Sequence, residues 1–383
     1  MLEKEELKEM LRNVKVPLLD LKDQNAKIKA KAMEKFSEVF DSGTFILGKE
    51  VTNFEKNIAE YLGTKHAIGV SSGTDAILVA LMALGIQESD EVICPSFTFF
   101  AAAGSVVRLG GTPVFVDVNL DDFNISCEEI CEKISAKTRA ILAVHLFGQT
   151  ASIDKIVKIG REANIPVIED CAQSLGAKRH GKQGGTFGEI GCFSFFPTKN
   201  LGGFGDSGLV CTGNDAIAEK VKILRVHGMK PRYFHRYIGG NFRIDELQAA
   251  LLNVKFQHIE AYIANRRKNA EIYLNALEGL EYIILPKEIE GNFHTWNQFT
   301  IRILDGKRDM IYQTLQANDV GCSIYYPLPL DAQECFKPFV DRQNLTPNAS
   351  LASKEVLSLP IYPELTTDQI LHVTKILKQA LRS

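Results

Sequence analysis

Lys199 stands in the stretch Phe193-Ser194-Phe195-Phe196-Pro197-Thr198-Lys199-Asn200-Leu201-Gly202-Gly203-Phe204-Gly205-Asp206-Ser207-Gly208-Leu209, where an aromatic, apolar run delivers one lysine into a glycine-rich turn. Upstream, Val167-Ile168-Glu169-Asp170-Cys171-Ala172-Gln173 ends an apolar run on an acid. A lysine can form a Schiff base with an aldehyde, and an aspartate can hold a proton on a pyridine nitrogen. These are the two groups that a pyridoxal phosphate enzyme requires. Either alone is ordinary: a lysine beside glycines is more often a surface residue, and an acid after a strand often caps the next helix. The pair gains weight only if further pieces follow in order.

Three further stretches carry polar or aromatic groups where strands end. Ser72-Gly73-Thr74-Asp75 falls between a strand and a helix, where backbone N–H groups and hydroxyls make an anion site, or merely an N-cap. Phe97-Thr98-Phe99-Phe100 offers a ring to stack on a flat cofactor, or core aromatics. His145 ends the run Ile141-Leu142-Ala143-Val144, and a satisfied structural histidine is the simpler reading. Open parallel sheets bind ligands at the carboxyl ends of their strands, which is where Asp170 and these groups fall.

The elements that must position them alternate. Strands are expected at Ala67–Val70, Glu91–Cys94, Pro113–Val118, Thr138–His145, Pro166–Glu169 and Leu209–Thr212. Between them lie helices at Ala76–Leu84, Ala101–Leu109, Glu128–Ile134, Ile153–Ala163 and Ala216–Val226. Such alternation implies a mainly parallel sheet covered on both faces. Before it, Leu2–Leu11 reads as a charged helix and Ala26–Phe40 as a helix with Ile28, Ala32, Phe36 and Phe40 on its apolar face. After it, Asp245–Phe256 presents Leu247, Ala250, Leu251 and Val254, and the long helix Ile259–Leu277 carries the chain into a second unit. That unit holds strands near Gln298–Ile303 and Cys322–Tyr326, and helices Met310–Ala317 and Asp368–Leu381. We expect an N-terminal extension at 1–14, a large unit at 15–265 and a small one at 266–383.

The chain has 383 residues, 45% hydrophobic and 24% charged, with a net charge of -3 and the charges interspersed. No basic face suggests nucleic acid, and no apolar run approaches the roughly 18 residues of a membrane span. The N-terminus lacks a signal-peptide core. The eight cysteines are scattered, and Cys127 and Cys131, at helical spacing, have no Cys/His pair to complete a metal site. The expectation is a reducing, cytoplasmic compartment and no metal.

The ordered set of Ser72-Gly73-Thr74-Asp75-Ala76, Pro95-Ser96-Phe97-Thr98-Phe99, Val116-Asp117-Val118, Val144-His145-Leu146-Phe147-Gly148-Gln149, Glu169-Asp170-Cys171-Ala172-Gln173, Phe193-Ser194-Phe195 with Lys199-Asn200-Leu201, and Gly240-Asn241-Phe242-Arg243-Ile244-Asp245-Glu246-Leu247-Gln248-Ala249-Ala250 resembles the DegT/DnrJ/EryC1/StrS aminotransferase family from about Val16 to near the C-terminus. The resemblance implies an α/β protein with the type I aminotransferase fold: a large, mainly parallel-sheet domain, a smaller C-terminal α/β domain, and a homodimer with shared active sites. It implies pyridoxal 5'-phosphate, held covalently by Lys199, with Asp170 on its ring nitrogen and Gln173 near its phenolic oxygen. Phe99 would stack on the ring. Gly73, Thr74 and Ser194 would hold the phosphate, joined by Asn241 of the other subunit. Arg243 and Tyr325 would face the substrate.

The implied reaction moves an amino group from L-glutamate to a nucleotide-linked keto sugar, aminated at C3 or C4. The family also holds enzymes acting on non-nucleotide cyclic ketones, which share these motifs, and sugar dehydratases, in which the lysine is a histidine. A non-enzymatic relative would be expected to lose Lys199 or Asp170, and both are present. Two departures bear on substrate. Asp206-Ser207-Gly208 replaces a frequent Glu-Gly-Gly turn, and Asp331 follows Tyr325-Tyr326-Pro327-Leu328-Pro329-Leu330 where some members have histidine. A keto acid would call for a bidentate arginine clamp, and Arg302, Arg308, Arg342 and Arg382 sit in no motif that provides one. The loop from Lys230 to Arg243 interleaves Lys230, Arg232, His235 and Arg236 with Tyr233, Phe234 and Tyr237, which suits a diphosphate and a base.

Overall fold

The structure, a computed structural model, describes residues 14–340 and 346–382. The charged helix expected at Leu2–Leu11 and Arg342 lie outside the described residues.

A seven-stranded sheet organises the chain. Its strands are β1 (His66–Val70), β2 (Glu91–Pro95), β3 (Thr112–Val116), β4 (Thr138–Val144), β5 (Val167–Asp170), β6 (Ile190–Ser194) and β7 (Gly208–Thr212), in the order β1-β7-β6-β5-β4-β2-β3. β7 runs antiparallel to both neighbours and the other pairings are parallel, so β1 to β6 all end on one edge. The strands are apolar on both faces because helices cover both. β6 was not anticipated. Its residues, Ile190-Gly191-Cys192-Phe193-Ser194, merge into the aromatic run that precedes Lys199, so no turn residue marks its end.

Three helices precede or follow β1: α1 (Lys22–Ser42), α2 (Lys49–Leu62) and α3 (Gly73–Leu84). α3 is apolar on nearly every side because it is wedged within the core; it starts on the Ser72 cap and stops at Gly85, whose φ of 84 suits glycine. α1 departs from expectation. Ile28 and Ala32 are buried, but Phe36 and Phe40 are exposed and stack on one another. Beyond β7 come α4 (Glu246–Phe256) and α5 (Ile259–Leu277). In α4 the buried side chains are Glu246, Ala249, Ala250, Leu252, Asn253, Val254 and Lys255, whereas Leu247 and Leu251 are half-exposed. The expected apolar face is thus turned partly outward.

α5 links two cores. Ile259 and Ile263 pack with α2 and the sheet, while Ala270, Tyr273 and Leu277 join a second cluster with Phe299, Ile301, Leu357 and Leu377. That cluster surrounds a three-stranded sheet of β8 (Ile283–Ile284), β9 (Phe299–Ile303) and β10 (Val356–Leu359). Val16 belongs to it as well, bridged to Val320. Cys322–Tyr326 is not a strand; only Ser323 forms a bridge, to Ser358, and the rest runs as a loop toward the edge where the parallel strands end. The strand character there went instead to β10, preceded by the helix Pro347–Glu355, neither of which was anticipated.

Candidate active site

The shared carboxyl edge of the sheet collects the residues singled out above. Asp170 closes β5, Ser194 closes β6, and Gly73 opens α3 directly after β1. Gly73 must be glycine here: a Cβ would stand 2.6 Å from the Ser194 Cβ. This close approach brings the Ser194 hydroxyl to the N-terminus of α3. At that terminus the Asp75 N–H donates to Ser72 Oγ at 3.0 Å and the Ala76 N–H to the Ser72 carbonyl at 2.9 Å. The N–H groups of Gly73 and Thr74 are left for an anion. Arg243 pairs through its backbone with Val70, at the end of β1, and its enclosed Nε has no partner. Asn241, two residues earlier, is exposed.

Asp170 is 5% exposed. Burial pushes its carboxyl pKa up, against the Ala172 N–H and the nearby Lys199 and His145, which lower it. An enclosed carboxylate with so little repayment for its lost hydration is a ready partner for a cationic ring N–H. Lys199 keeps part of its surface open, yet its ammonium end is desolvated enough to bring its pKa down to about 8, with Asp170 opposing that shift. The turn that presents Lys199 is held by the Gly203 N–H on the Phe195 carbonyl at 2.7 Å and the Phe195 N–H on the Ser207 carbonyl at 2.8 Å. Gln248 of α4 accepts the Phe204 N–H at 2.9 Å.

Gln173 accepts the Phe147 N–H at 2.7 Å and donates to the Tyr326 hydroxyl at 3.1 Å. Tyr326 in turn faces Phe99, a ring 56% exposed, at 6.4 Å between centroids. Tyr326, rather than Tyr325, therefore joins Gln173 and Phe99. Tyr325 lies beside it, lining a cavity with Thr198 and Lys199. The signal for Tyr326 was in the same Tyr-Tyr-Pro segment, but a sequence gives no way to choose between adjacent tyrosines. Asp331, where histidine was noted in relatives, is turned away from this group onto Ser96 and Thr346.

His145 is structural. Its Nδ1 accepts the Ala151 N–H at 3.1 Å, so Nε2 carries the proton and donates to Glu169 at 2.9 Å. Glu169 also accepts the N–H groups of Gly185, Phe187 and Gly188, each at 2.7 Å. Those bonds spend the lone pairs that would make the neighbouring His145, Glu169 and Cys171 a cation site.

Residues 26–378 match the DegT/DnrJ/EryC1/StrS aminotransferase family. The chain belongs to that family. It is 44% identical over 362 residues to a protein of Geobacillus stearothermophilus named a pleiotropic regulatory protein, covering 94% of this chain and 97% of the other. It is 39% identical to the UDP-N-acetyl-3-dehydro-alpha-D-glucosamine 3-aminotransferase of Acidithiobacillus ferrooxidans, covering 97% of this chain and all of that one. The solved structure of DesV from S. venezuelae superposes with a TM-score of 0.93 at 36% identity, covering 96% of this chain and 99% of DesV. The protein is a pyridoxal phosphate-dependent aminotransferase with the fold of that class. The residues present fit the cofactor: an anion cradle that a Cβ at Gly73 would fill, a buried acid short of a cation, and a lysine with a lowered pKa.

Proposed function

We propose that this aminotransferase moves an amino group from L-glutamate to the keto carbon of a nucleotide-linked deoxysugar, working as a homodimer with shared sites. The reading rests on the assembly of Lys199, Asp170, Ser194 and Gly73 on one edge of the sheet. It is supported by relatives named for that substrate class, the UDP-linked 3-aminotransferase among them. The regulatory name of one relative does not displace it, because Lys199 and Asp170 are both in place.

When bound, the cofactor supplies a ring that accepts the electron pair of the substrate carbon. The chain supplies the rest. Lys199 would be the base that takes a proton from the substrate carbon and delivers it to C4′ of the cofactor. Its lowered pKa leaves a substantial neutral fraction near neutral pH. Asp170 would hold the proton on the ring nitrogen and stand there as a fixed counter-charge. Ser194 and the Gly73 and Thr74 N–H groups would hold the phosphate, with Asn241 reaching it from the other subunit. Gln173 would orient the phenolic oxygen, Phe99 would stack on the ring, and Arg243 and Tyr325 would face the substrate. We also place the boundary between the two domains near residue 265, where α5 passes from one core to the other.

The test is a panel of nucleotide-linked keto sugars with L-glutamate, with amino-sugar formation read by mass. Amination of a nucleotide-linked sugar is the expected result. Amination of free cyclic ketones only would favour the cyclic-ketone reading, and loss of a hydroxyl without gain of nitrogen would favour a dehydratase.

A further inference from the structure

Gln173 has an amide whose two ends the structure tells apart. It is 7% exposed, and its Oε1 accepts the Phe147 N–H at 2.7 Å. Only the amide oxygen can take an N–H, so the other end is Nε2. Nε2 donates one hydrogen to the Tyr326 hydroxyl at 3.1 Å. Its second hydrogen has no acceptor among the described residues. One hydrogen bond leaves an amide free to turn about it, whereas bonds at both ends fix its plane.

Both partners of Gln173 are held in place themselves. Phe147 lies in the turn Leu146–Gly148 at a φ of 59, a conformation that favours glycine. A residue in that conformation persists because its surroundings hold it. Here the Phe147 carbonyl accepts the Gln298 N–H at 3.1 Å, and the Gly148 carbonyl accepts the Thr295 N–H at 2.8 Å, both from the segment that enters β9.

Tyr326 reaches Gln173 on the loop that leaves the second core. Its ring meets the buried Phe97 edge-on at 5.9 Å and leans over Phe99 on the other side. The end of the loop is pinned to the sheet by the Leu330 N–H on the Ser96 carbonyl at 2.7 Å, and by Asp331 on Ser96 and Thr346. Burial holds the Tyr326 hydroxyl above the ordinary pKa of a phenol, against the bond from Gln173, so it stays neutral over the physiological range. Among the described residues that hydroxyl has no hydrogen-bond partner but Gln173.

We propose that Tyr326 is a positioning residue for the cofactor: with Phe147 it fixes the Gln173 amide so that an N–H, and not a carbonyl, is presented to the phenolic oxygen. This rests on the placement of Gln173 at that oxygen. A donor there steadies negative charge on the oxygen, and a carbonyl would oppose it.

The test is a pH titration of the holoenzyme's visible absorbance, which changes when the proton shared by the Lys199 nitrogen and the phenolic oxygen is lost. A donor on the oxygen favours the form left after that loss, so weakening the donor moves the transition to higher pH. Gln173→Met is expected to raise it by about one pH unit. Tyr326→Phe keeps the ring on Phe97 and Phe99, removes only the hydroxyl, and is expected to raise it by about half as much. The double variant is expected to match Gln173→Met alone, because a residue that acts through another adds nothing once that other is gone. Tyr326→Phe is also expected to narrow the preference for pyridoxal phosphate over its 3-deoxy analogue, read as a ratio of dissociation constants, by about threefold.

An unmoved transition in folded, loaded Tyr326→Phe overturns the proposal if Gln173→Met moves it, and the placement of Gln173 then stands. If Gln173→Met leaves the transition unmoved, that placement fails and the positioning role fails with it. Additive shifts in the double variant overturn the proposal by setting the tyrosine on the cofactor directly. Equal weakening of pyridoxal phosphate and its 3-deoxy analogue overturns it by making Tyr326 structural.

Discussion

Lys199 must be neutral to attack an aldehyde, so its lowered pKa sets a pH dependence that can be measured without substrate. With a pKa of about 8, capture of pyridoxal phosphate by the cofactor-free protein is expected to be slow at pH 6, to rise through pH 8 and then to level off. Stopped-flow absorbance gives the profile directly; a midpoint above pH 10 would show a solvated lysine. Borohydride reduction and peptide mapping are expected to place the pyridoxyl group on Lys199 and on no other lysine. Asp170 holds the Lys199 pKa up, so Asp170→Asn is expected to move the capture midpoint to lower pH. The same change removes the counter-charge for the ring proton. Half-reaction turnover is therefore expected to fall by about 10²–10⁴-fold while the cofactor is retained. Near wild-type turnover in that variant would leave Asp170 as a strand-end cap.

At the scale of elements, α4 organises the ground beneath the lysine turn. Its first residue, Glu246, is 3% exposed and accepts the N–H groups of Gly48, Glu50 and Val51, at 2.8, 2.6 and 3.2 Å, thereby capping α2 from a distance of almost two hundred residues. Two turns-worth of contact follow from it: Gln248 on the Phe204 N–H, and Asn253 on the Glu50 carbonyl at 3.0 Å. Glu246→Ala would leave those donors buried and unpaired, and is expected to cost about 2–4 kcal/mol. Urea unfolding measures it, and a loss below about 0.5 kcal/mol would show that water replaces the carboxylate.

What could be read from the chain was what local pattern encodes. The parallel strands, α3 with its Ser72 cap, and α5 to its terminal residues follow from periodicity and turn chemistry. The positions of Asp170, Ser194, Gln173 and Lys199 followed from motifs whose order is specific even where each is weak. The rest depended on partners remote in sequence. Glu246, in a motif with hydrophobic neighbours, gives no sign that its carboxylate serves α2. Gln173 and Tyr326 meet only because a loop of the second core reaches the edge of the sheet. Phe36 and Phe40 satisfy the helical spacing of a buried face and are nevertheless outside, since spacing identifies a stripe and not what covers it.

For the whole molecule that uncovered stripe is the informative feature. Met33, Phe36 and Phe40 on α1 are 55%, 39% and 64% exposed, and Phe45, Ile46 and Phe204 stand exposed too. Phe204, in the turn that follows Lys199, lines one groove with Met33 and Phe36. A second exposed group, Tyr233, Phe234 and Ile238, tops the loop that leads to Asn241. Apolar surface of this kind on one chain marks an interface, and we predict that two copies cover it and exchange Asn241. The exchange is separable from mere association. Lys199→Ala removes the reacting amine. Asn241→Asp sets a carboxylate against the phosphate, a like-charge contact that abolishes cofactor binding at the neighbouring site. Each homodimer is expected to be inactive. On random mixing half of the dimers pair one chain of each kind, and in those one site combines an intact Lys199 with an intact Asn241. Activity is then expected to recover to about a quarter of the wild-type value. If mass spectrometry shows that subunits have exchanged and activity stays at zero, Asn241 serves its own chain and the sites are not shared.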